Sequence, residues 1–300
     1  MMDLSHFLNG TKNMKTKNKQ KICIVGHGFV GKATDFGFSV NVEKLIIDPI
    51  YGNKLSDAIN FNPDFIFVCV PTPMGIKGSQ DSSIIEGVVD EIAKILPESL
   101  VIIKSTVLPN VLQKLQKKNK KLVYNPEFLR EKHANDDFKN APFLIFGGGK
   151  AYCNEISELY SKHSICTTDK YFFVDLPTAS FIKYSINSFL ATKVLYFNEL
   201  HDLFEELNVS DSWDDLIGII SHDSRIGKSH MNVPGHDGRK GFGGACFPKD
   251  TTALLKFSQS MGIELMALKS VVSKNNKIRS SYNNLDSREE DQNITYNHDD

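Results

Sequence analysis

Lys21-Ile-Cys-Ile-Val-Gly-His-Gly-Phe-Val-Gly-Lys-Ala33 decides the fold. Its first five residues form a short β-branched run that stops at a glycine, as strands do. Gly26, Gly28 and Gly31 then fall in the pattern G-x-G-x-x-G. That pattern alone is common, but here a strand precedes it and a helical segment follows. An acid, Asp48, closes the next apolar run (44–48) about twenty residues on, which completes the context of a dinucleotide-binding βαβ unit. Gly26 permits the tight turn, Gly28 lets backbone approach a pyrophosphate, and Gly31 lets helix and strand pack closely. Phe29 and Val30 stand where the helix opens, so its free N–H groups and positive end can receive phosphate. Asp48 is placed to hydrogen-bond ribose hydroxyls and to repel a 2′-phosphate, which favours NAD over NADP.

Outward from this unit, apolar runs recur at 64–70, 100–103, 122–124, 143–146 and 171–174, several of them almost continuously apolar. Such runs suit parallel strands covered on both faces. Helical patterns at 84–96 and 111–118 lie between them, so residues 21–176 are expected to form a doubly wound parallel sheet, a Rossmann-type NAD-binding domain in an α/β chain. Val70-Pro-Thr-Pro73 and Lys104-Ser-Thr-Val107 each follow a strand directly. Ligands bind outside the carboxyl ends of such strands, so Pro71, Thr72, Ser105 and Thr106 are expected to line one crevice with the glycine turn.

The periodicity then changes. No Gly or Pro occurs from Thr178 to Val209, and Ile186, Leu190, Val194, Phe197, Leu200, Phe204 and Leu207 recur three or four residues apart. Residues 177–209 thus read as one connecting helix of roughly 45 Å, of the kind that links domains or supports a dimer. A small α-helical domain is expected over 210–275, with a helix near 211–221 and another after Pro248 ending at Gly262. Residues 1–20 and the polar stretch 276–300 read as a disordered leader and tail.

Composition narrows the function. With 35 basic and 36 acidic residues the net charge is −1, without the basic excess of a nucleic-acid binder. No apolar run is long enough to span a membrane, so a cytoplasmic chain is expected. The five scattered cysteines make neither a disulfide framework nor a metal-binding CxxC pattern. His222, His230 and His236, with Asp223 and Asp237, fit no metal spacing, and no metal is expected.

Gly241-Phe-Gly-Gly-Ala-Cys-Phe-Pro-Lys-Asp250 carries the chemistry. Its glycines let backbone N–H groups crowd a ligand. A nearby ammonium, Lys249, raises a thiol's ionised fraction, and a carboxylate, Asp250, can bind water or take a proton. Cys23 and Cys69 lie inside strands and read as core; Cys246, on a polar loop, reads as a nucleophile.

The glycine fingerprint, Asn125-Pro-Glu-Phe-Leu-Arg-Glu131, Lys183 with Asn187, Asp223-Ser-Arg-Ile-Gly227 and the cysteine loop occur in the order found in UDP-glucose 6-dehydrogenases and their GDP-mannose and N-acetylhexosamine relatives. The chain resembles that family over about residues 21–275. The resemblance implies a four-electron, NAD-dependent oxidation of a nucleotide sugar, UDP-glucose first, through a thiohemiacetal and thioester on Cys246. It implies that Lys183 and Asn187 stabilise oxyanions and hold water, and that Thr106 and Asp250 place water. Glu127 or Glu131, which would be i, i+4 neighbours if that segment is helical, acts as hydrolytic base or binds sugar; Glu131 and Lys249 also face the cofactor. Phe128, Leu129, Arg130, Phe242 and Gly243 would line the sugar site, and Arg225 would reach the neighbouring subunit of a homodimer. The chain departs from the family in Lys132, where glycine is common, in a longer loop at His236-Asp-Gly-Arg-Lys240, and in having no pattern for a third, nucleotide-gripping domain. Two readings follow: an active dehydrogenase whose missing uridine-binding part is supplied by another chain or by a compact alternative mode, or a non-catalytic NAD-binding or dimerisation module.

Overall fold

The computed structural model describes residues 19–296. Strands and helices alternate through β1 (Gln20–Val25), α1 (Phe29–Gly37), β2 (Val42–Ile47), α2 (Ala58–Phe61), β3 (Phe65–Val68), α3 (Ser83–Ile95), β4 (Leu100–Ile103), α4 (Pro109–Lys118), β5 (Leu122–Tyr124), α5 (Ala134–Lys139), β6 (Leu144–Gly148), α6 (Lys150–His163) and β7 (Tyr171–Val174). The strands join in one 7-stranded sheet of order β2-β1-β3-β4-β5-β6-β7, with the chain reversal beside β1 that makes it doubly wound. Although the central strands are almost continuously apolar, their side chains still sort by twos. Cys23, Val25, Ile66, Val68, Val101 and Ile103 face one core with α3, α4 and Leu176. Ile22, Ile24, Phe65, Phe67, Leu100 and Ile102 face another with Phe38, Phe138 and α6.

The sheet is not wholly parallel. β5 and β6 pair antiparallel, with Val123 opposite Gly148 and Tyr124 opposite Gly147, while β6 and β7 run parallel to each other. Apolar runs reveal burial on both faces but carry no record of strand direction, so the reversal was invisible in sequence.

α7 (Leu176–Glu206) is the expected long helix. Asp175 caps it, accepting from the Thr178 N–H at 2.7 Å. Its inner side buries Ala179, Lys183, Tyr184, Asn187 and Ala191. After it come α8 (Trp213–Ile220), α9 (Phe247–Ser260), α10 (Met266–Arg279) and α11 (Ser287–Asp291). α9 and α10 pack on Tyr184 through Leu254, Leu255, Leu268 and Val272. α8 packs on the far end of α7 around Trp213, Phe197 and Met231.

The expected leader lies outside the described residues except for Lys19 and Gln20, and Gln20 opens β1. The expectation of a structureless segment from 276 does not hold for residues 276–296. α10 runs through Arg279, Asp286 caps α11 by accepting from the Arg288 and Glu289 N–H groups, and Glu289, Ile294 and Tyr296 are buried. Charge and polarity predicted solvation there, but two of the charges, Arg279 and Glu289, are buried and paired with each other.

Candidate active site

The glycine turn has the geometry its sequence requires. Gly26 has φ +90°, and a Cβ there would meet the Cys69 carbonyl. A Cβ on Gly31 would strike the Gly26 carbonyl oxygen, whereas Gly28 faces open space. The Asp48 carboxylate accepts from the His27 N–H at 2.6 Å and from the Ile50 N–H at 3.0 Å, so it is fixed against the turn itself. Phe29 and Lys32 from the start of α1 line an open cavity of about 480 Å³ with Glu131, Lys132, His133 and Asn135. A backbone free to approach, a helix start and an adjoining carboxylate are the parts a dinucleotide needs, and these residues fit it.

The two loops expected to share the crevice are bonded to each other. Thr72 Oγ1 donates to the Thr106 carbonyl at 2.8 Å, and Ser105 Oγ donates to the Val70 carbonyl at 2.6 Å. Gln80, which the sequence did not single out, donates to the Thr106 carbonyl and to the Tyr184 hydroxyl, both at 2.9 Å, and so ties this crevice to α7. Pro71 is exposed beside them.

Four buried charges meet where α7 crosses the sheet. Lys183 Nζ donates to the Glu127 carbonyl at 2.5 Å, lies 3.3 Å from Glu127 Oε1 and stands 5.1 Å from the centre of the Phe128 ring. One turn further on, Asn187 Nδ2 donates to Asp250 Oδ2 at 2.7 Å, and Lys249 Nζ reaches Asp250 Oδ1 at 2.6 Å. Lys183 and Lys249 each have a carboxylate partner, which is how buried charge is sustained, and buried Lys104, bonded to Asn125, adds its field at Glu127. Burial works against the Lys183 charge, but Glu127, Asp250 and Cys246 outweigh it and hold its pKa above the usual lysine value.

Cys246 is the N-cap of α9, half-buried beside this cluster. Burial pushes its thiol up to about 11, with Lys249 and Lys183 pulling the other way. The expected lowering by Lys249 is therefore real in direction and too small to prevail against burial, which the charges of Asp250 and Glu127 reinforce. Cys23 is fully buried, as read, and its thiol is pushed up to about 12 by burial.

Other expected site residues fall elsewhere. Residues 125–130 form no helix, so Glu127 and Glu131 are not helical neighbours. Glu127 also accepts from the Leu129 N–H at 2.7 Å, while Glu131 is paired with Arg288 at 3.2 Å. Arg130 is turned to Asp137 at 2.7 Å. The Arg225 guanidinium is exposed and pairs with Asp223 at 2.6 Å. Phe242 is buried, with its N–H and C=O both bonded to Asn275, and Asn198 accepts from the Gly241 N–H at 2.9 Å. The only sequence signal for Asn198 and Asn275 was an amide on an otherwise apolar helix face. Lys240 pairs with Asp202 and Arg239 donates to the Asn284 carbonyl, so the basic loop is internally engaged.

A carboxylate-bearing glycine turn, coupled by one helix to a cysteine over a buried ion cluster, defines a dinucleotide-binding α/β protein with a thiol site. Residues 50–164 match the NAD binding domain, and residues 177–277 the central domain, of the UDP-glucose/GDP-mannose dehydrogenase family. The chain belongs to that family. It is 34% identical over 250 residues to UDP-glucose 6-dehydrogenase of Rickettsia felis, covering 81% of this chain, and it spans about half (53%) of that relative's length. The Rickettsia typhi enzyme of the same name is 33% identical over 298 residues, covering 86% of this chain and 67% of that one. In fold it is similar to a UDP-glucose dehydrogenase from Pyrobaculum islandicum, with TM-score 0.75 and 24% identity over 88% of this chain and 69% of that one.

Proposed function

We propose that this chain carries the catalytic part of an NAD-dependent nucleotide-sugar dehydrogenase that oxidises UDP-glucose to UDP-glucuronate through Cys246. The observation that carries this reading is the buried cluster Lys183–Glu127 and Asn187–Asp250–Lys249 beside a cysteine. A module that only bound NAD would have no use for it. When bound, NAD supplies the hydride acceptor, twice per turnover. The chain's own groups supply the rest. The Cys246 thiol must lose its proton, and Asp250 is the carboxylate at hand to take it. A base takes the proton of the sugar's C6 hydroxyl as the first hydride leaves C6 for the acceptor, which gives an aldehyde. The thiolate adds to that aldehyde, and the Lys183 ammonium with the Asn187 amide stabilises the oxyanion that forms. Loss of a second hydride from that adduct leaves a thioester, and water held by Asn187 and Asp250 adds to its carbonyl. The carboxylate leaves and the thiol is restored, so one alcohol and one water yield one acid and two reduced cofactors.

Purified chain with UDP-glucose, GDP-mannose or a UDP-N-acetylhexosamine, and with NAD or NADP, tests the reading. NADH should form fastest from UDP-glucose. NADP should serve poorly, because Asp48 sits where a 2′-phosphate would bring a second negative charge. An NADP preference would overturn the role given to Asp48. If no nucleotide sugar yields NADH, the chain is the non-catalytic module instead.

A homodimer through α7 belongs to the same proposal. Phe181, Phe189, Tyr196 and Leu203 on that helix are each more than half exposed (56–65%), an apolar stripe that association would cover. Light scattering should give a dimer for the native chain and a monomer for Phe189→Asp/Tyr196→Asp. Arg225→Ala should remain dimeric and lose activity. A native monomer with full activity would refute both the dimer and the role of Arg225.

A further inference from the structure

The segment after α10 folds back over the cysteine loop and reaches the NAD-binding domain on its far side. Arg288 pairs with Glu131 at 3.2 Å, and the Gln292 carbonyl accepts from the Met74 N–H at 2.9 Å. Ile294 and Tyr296 close over Met74 in a small apolar cluster. Met74 borders a narrow crevice, too tight to admit water, that Thr72, Lys249 and Asp250 also line. The segment is thus a strap across the mouth of the site.

Its innermost contact is a carboxylate. Glu289, fully buried, accepts from the Gly244 N–H at 3.2 Å, from Arg279 Nη2 at 2.7 Å and from the Tyr296 hydroxyl at 2.6 Å. The neighbouring loop amides are served by neutral groups, Gly241 by Asn198 and Phe242 by Asn275. Gly244 alone of the three is served by a carboxylate, brought from 45 residues away. Arg279 is 2% exposed, its Nη1 goes to Asp237 at 2.7 Å, and its Nε has no partner. A Cβ on Gly243 would run into both Arg279 and Glu289, so the loop's glycine makes room for this pairing. A buried guanidinium and a glycine-loop amide that converge on one carboxylate form an anion pocket, filled by the chain itself.

We propose that Arg279 and the Gly244 amide form an anion site for a diphosphate group, and that Glu289 on the strap 285–296 occupies it until a ligand displaces the strap. The choice of a diphosphate rests on the nucleotide-sugar reading; the pocket does not. Anion binding would then break the Glu289 contacts and release Arg288 from Glu131, opening the crevice at Met74.

Calorimetric titration of the full chain with inorganic pyrophosphate tests this. Glu289→Gln keeps the side chain's size and removes the competing charge, and should bind pyrophosphate at least about ten-fold more tightly than the native chain. Arg288→Ala loosens the strap and leaves the pocket intact. It should gain several-fold, and it covers the case in which Glu289→Gln fails to fold. Hydrogen exchange over residues 285–296 of the native chain should quicken as pyrophosphate saturates. Affinity unchanged in both variants, no binding by any of the three chains, or slower exchange on adding pyrophosphate would each overturn the proposal. NADH formation from UDP-glucose is read separately. Its absence with pyrophosphate binding intact would remove the dehydrogenase reading and leave the anion pocket standing.

Discussion

Replacing Cys246 with serine is expected to lower NADH formation by about three powers of ten or more, while NAD binding stays intact. A serine hydroxyl is a far weaker nucleophile than a thiolate near neutral pH, and the glycine turn at 26–31 lies in a separate part of the chain. Mass spectrometry after incubation with UDP-glucose and NAD should find a trace of ester on the peptide that carries residue 246. The native thiol has a further signature. With burial holding it up to about 11, it is almost wholly protonated at pH 8, and its thiolate fraction grows as pH rises toward that value. Iodoacetamide should therefore alkylate Cys246 in the free chain about ten-fold or more slowly than free cysteine at pH 8, with the rate climbing at higher pH. Cys23→Ser, inside β1, should change stability and leave turnover alone. Native turnover in Cys246→Ser would end the covalent mechanism.

The parts of the molecule that were legible in sequence are those whose physics is local. The glycine turn could be read because Gly26 needs a positive φ and Gly31 a bare backbone within a few residues of each other. The long helix could be read because its apolar spacing repeats without a breaker from 178 to 209. The pairing of Lys183 with Glu127 joins positions 56 residues apart, and neither residue's neighbours disclose it; the family resemblance named both without joining them. The last segment misled for the opposite reason. Hydropathy treats Arg279 and Glu289 as solvent-seeking, but opposite charges that satisfy each other, a tyrosine hydroxyl and a loop amide can be buried, here with the rings of Tyr282 and Tyr296 over the guanidinium. Glu131 lines the cavity beside the glycine turn, as its motif suggested, but its motif gave no hint of its ion-pair partner there, Arg288, 157 positions away.

Lys183→Met separates the buried charge cluster's structural role from its catalytic one. Methionine matches the lysine stem in length and fills its space, but it leaves the Glu127 carboxylate, 7% exposed, without its cation. Breaking such a pair on one side costs about 3–5 kcal/mol, which at this chain length lowers Tm by roughly 10 °C. Turnover should fall by about 10²-fold or more, since the ammonium proposed to stabilise the oxyanion is gone. NAD affinity should be unchanged, because Gly26, Gly28 and Asp48 make no contact with Lys183. The double variant Lys183→Met/Glu127→Gln removes both charges together and should recover most of the lost Tm, since an uncharged pair needs no counterion. It should recover none of the turnover. If the double variant regains activity along with stability, Lys183 serves only to hold the fold; if the single variant keeps native turnover, the ammonium has no part in the reaction.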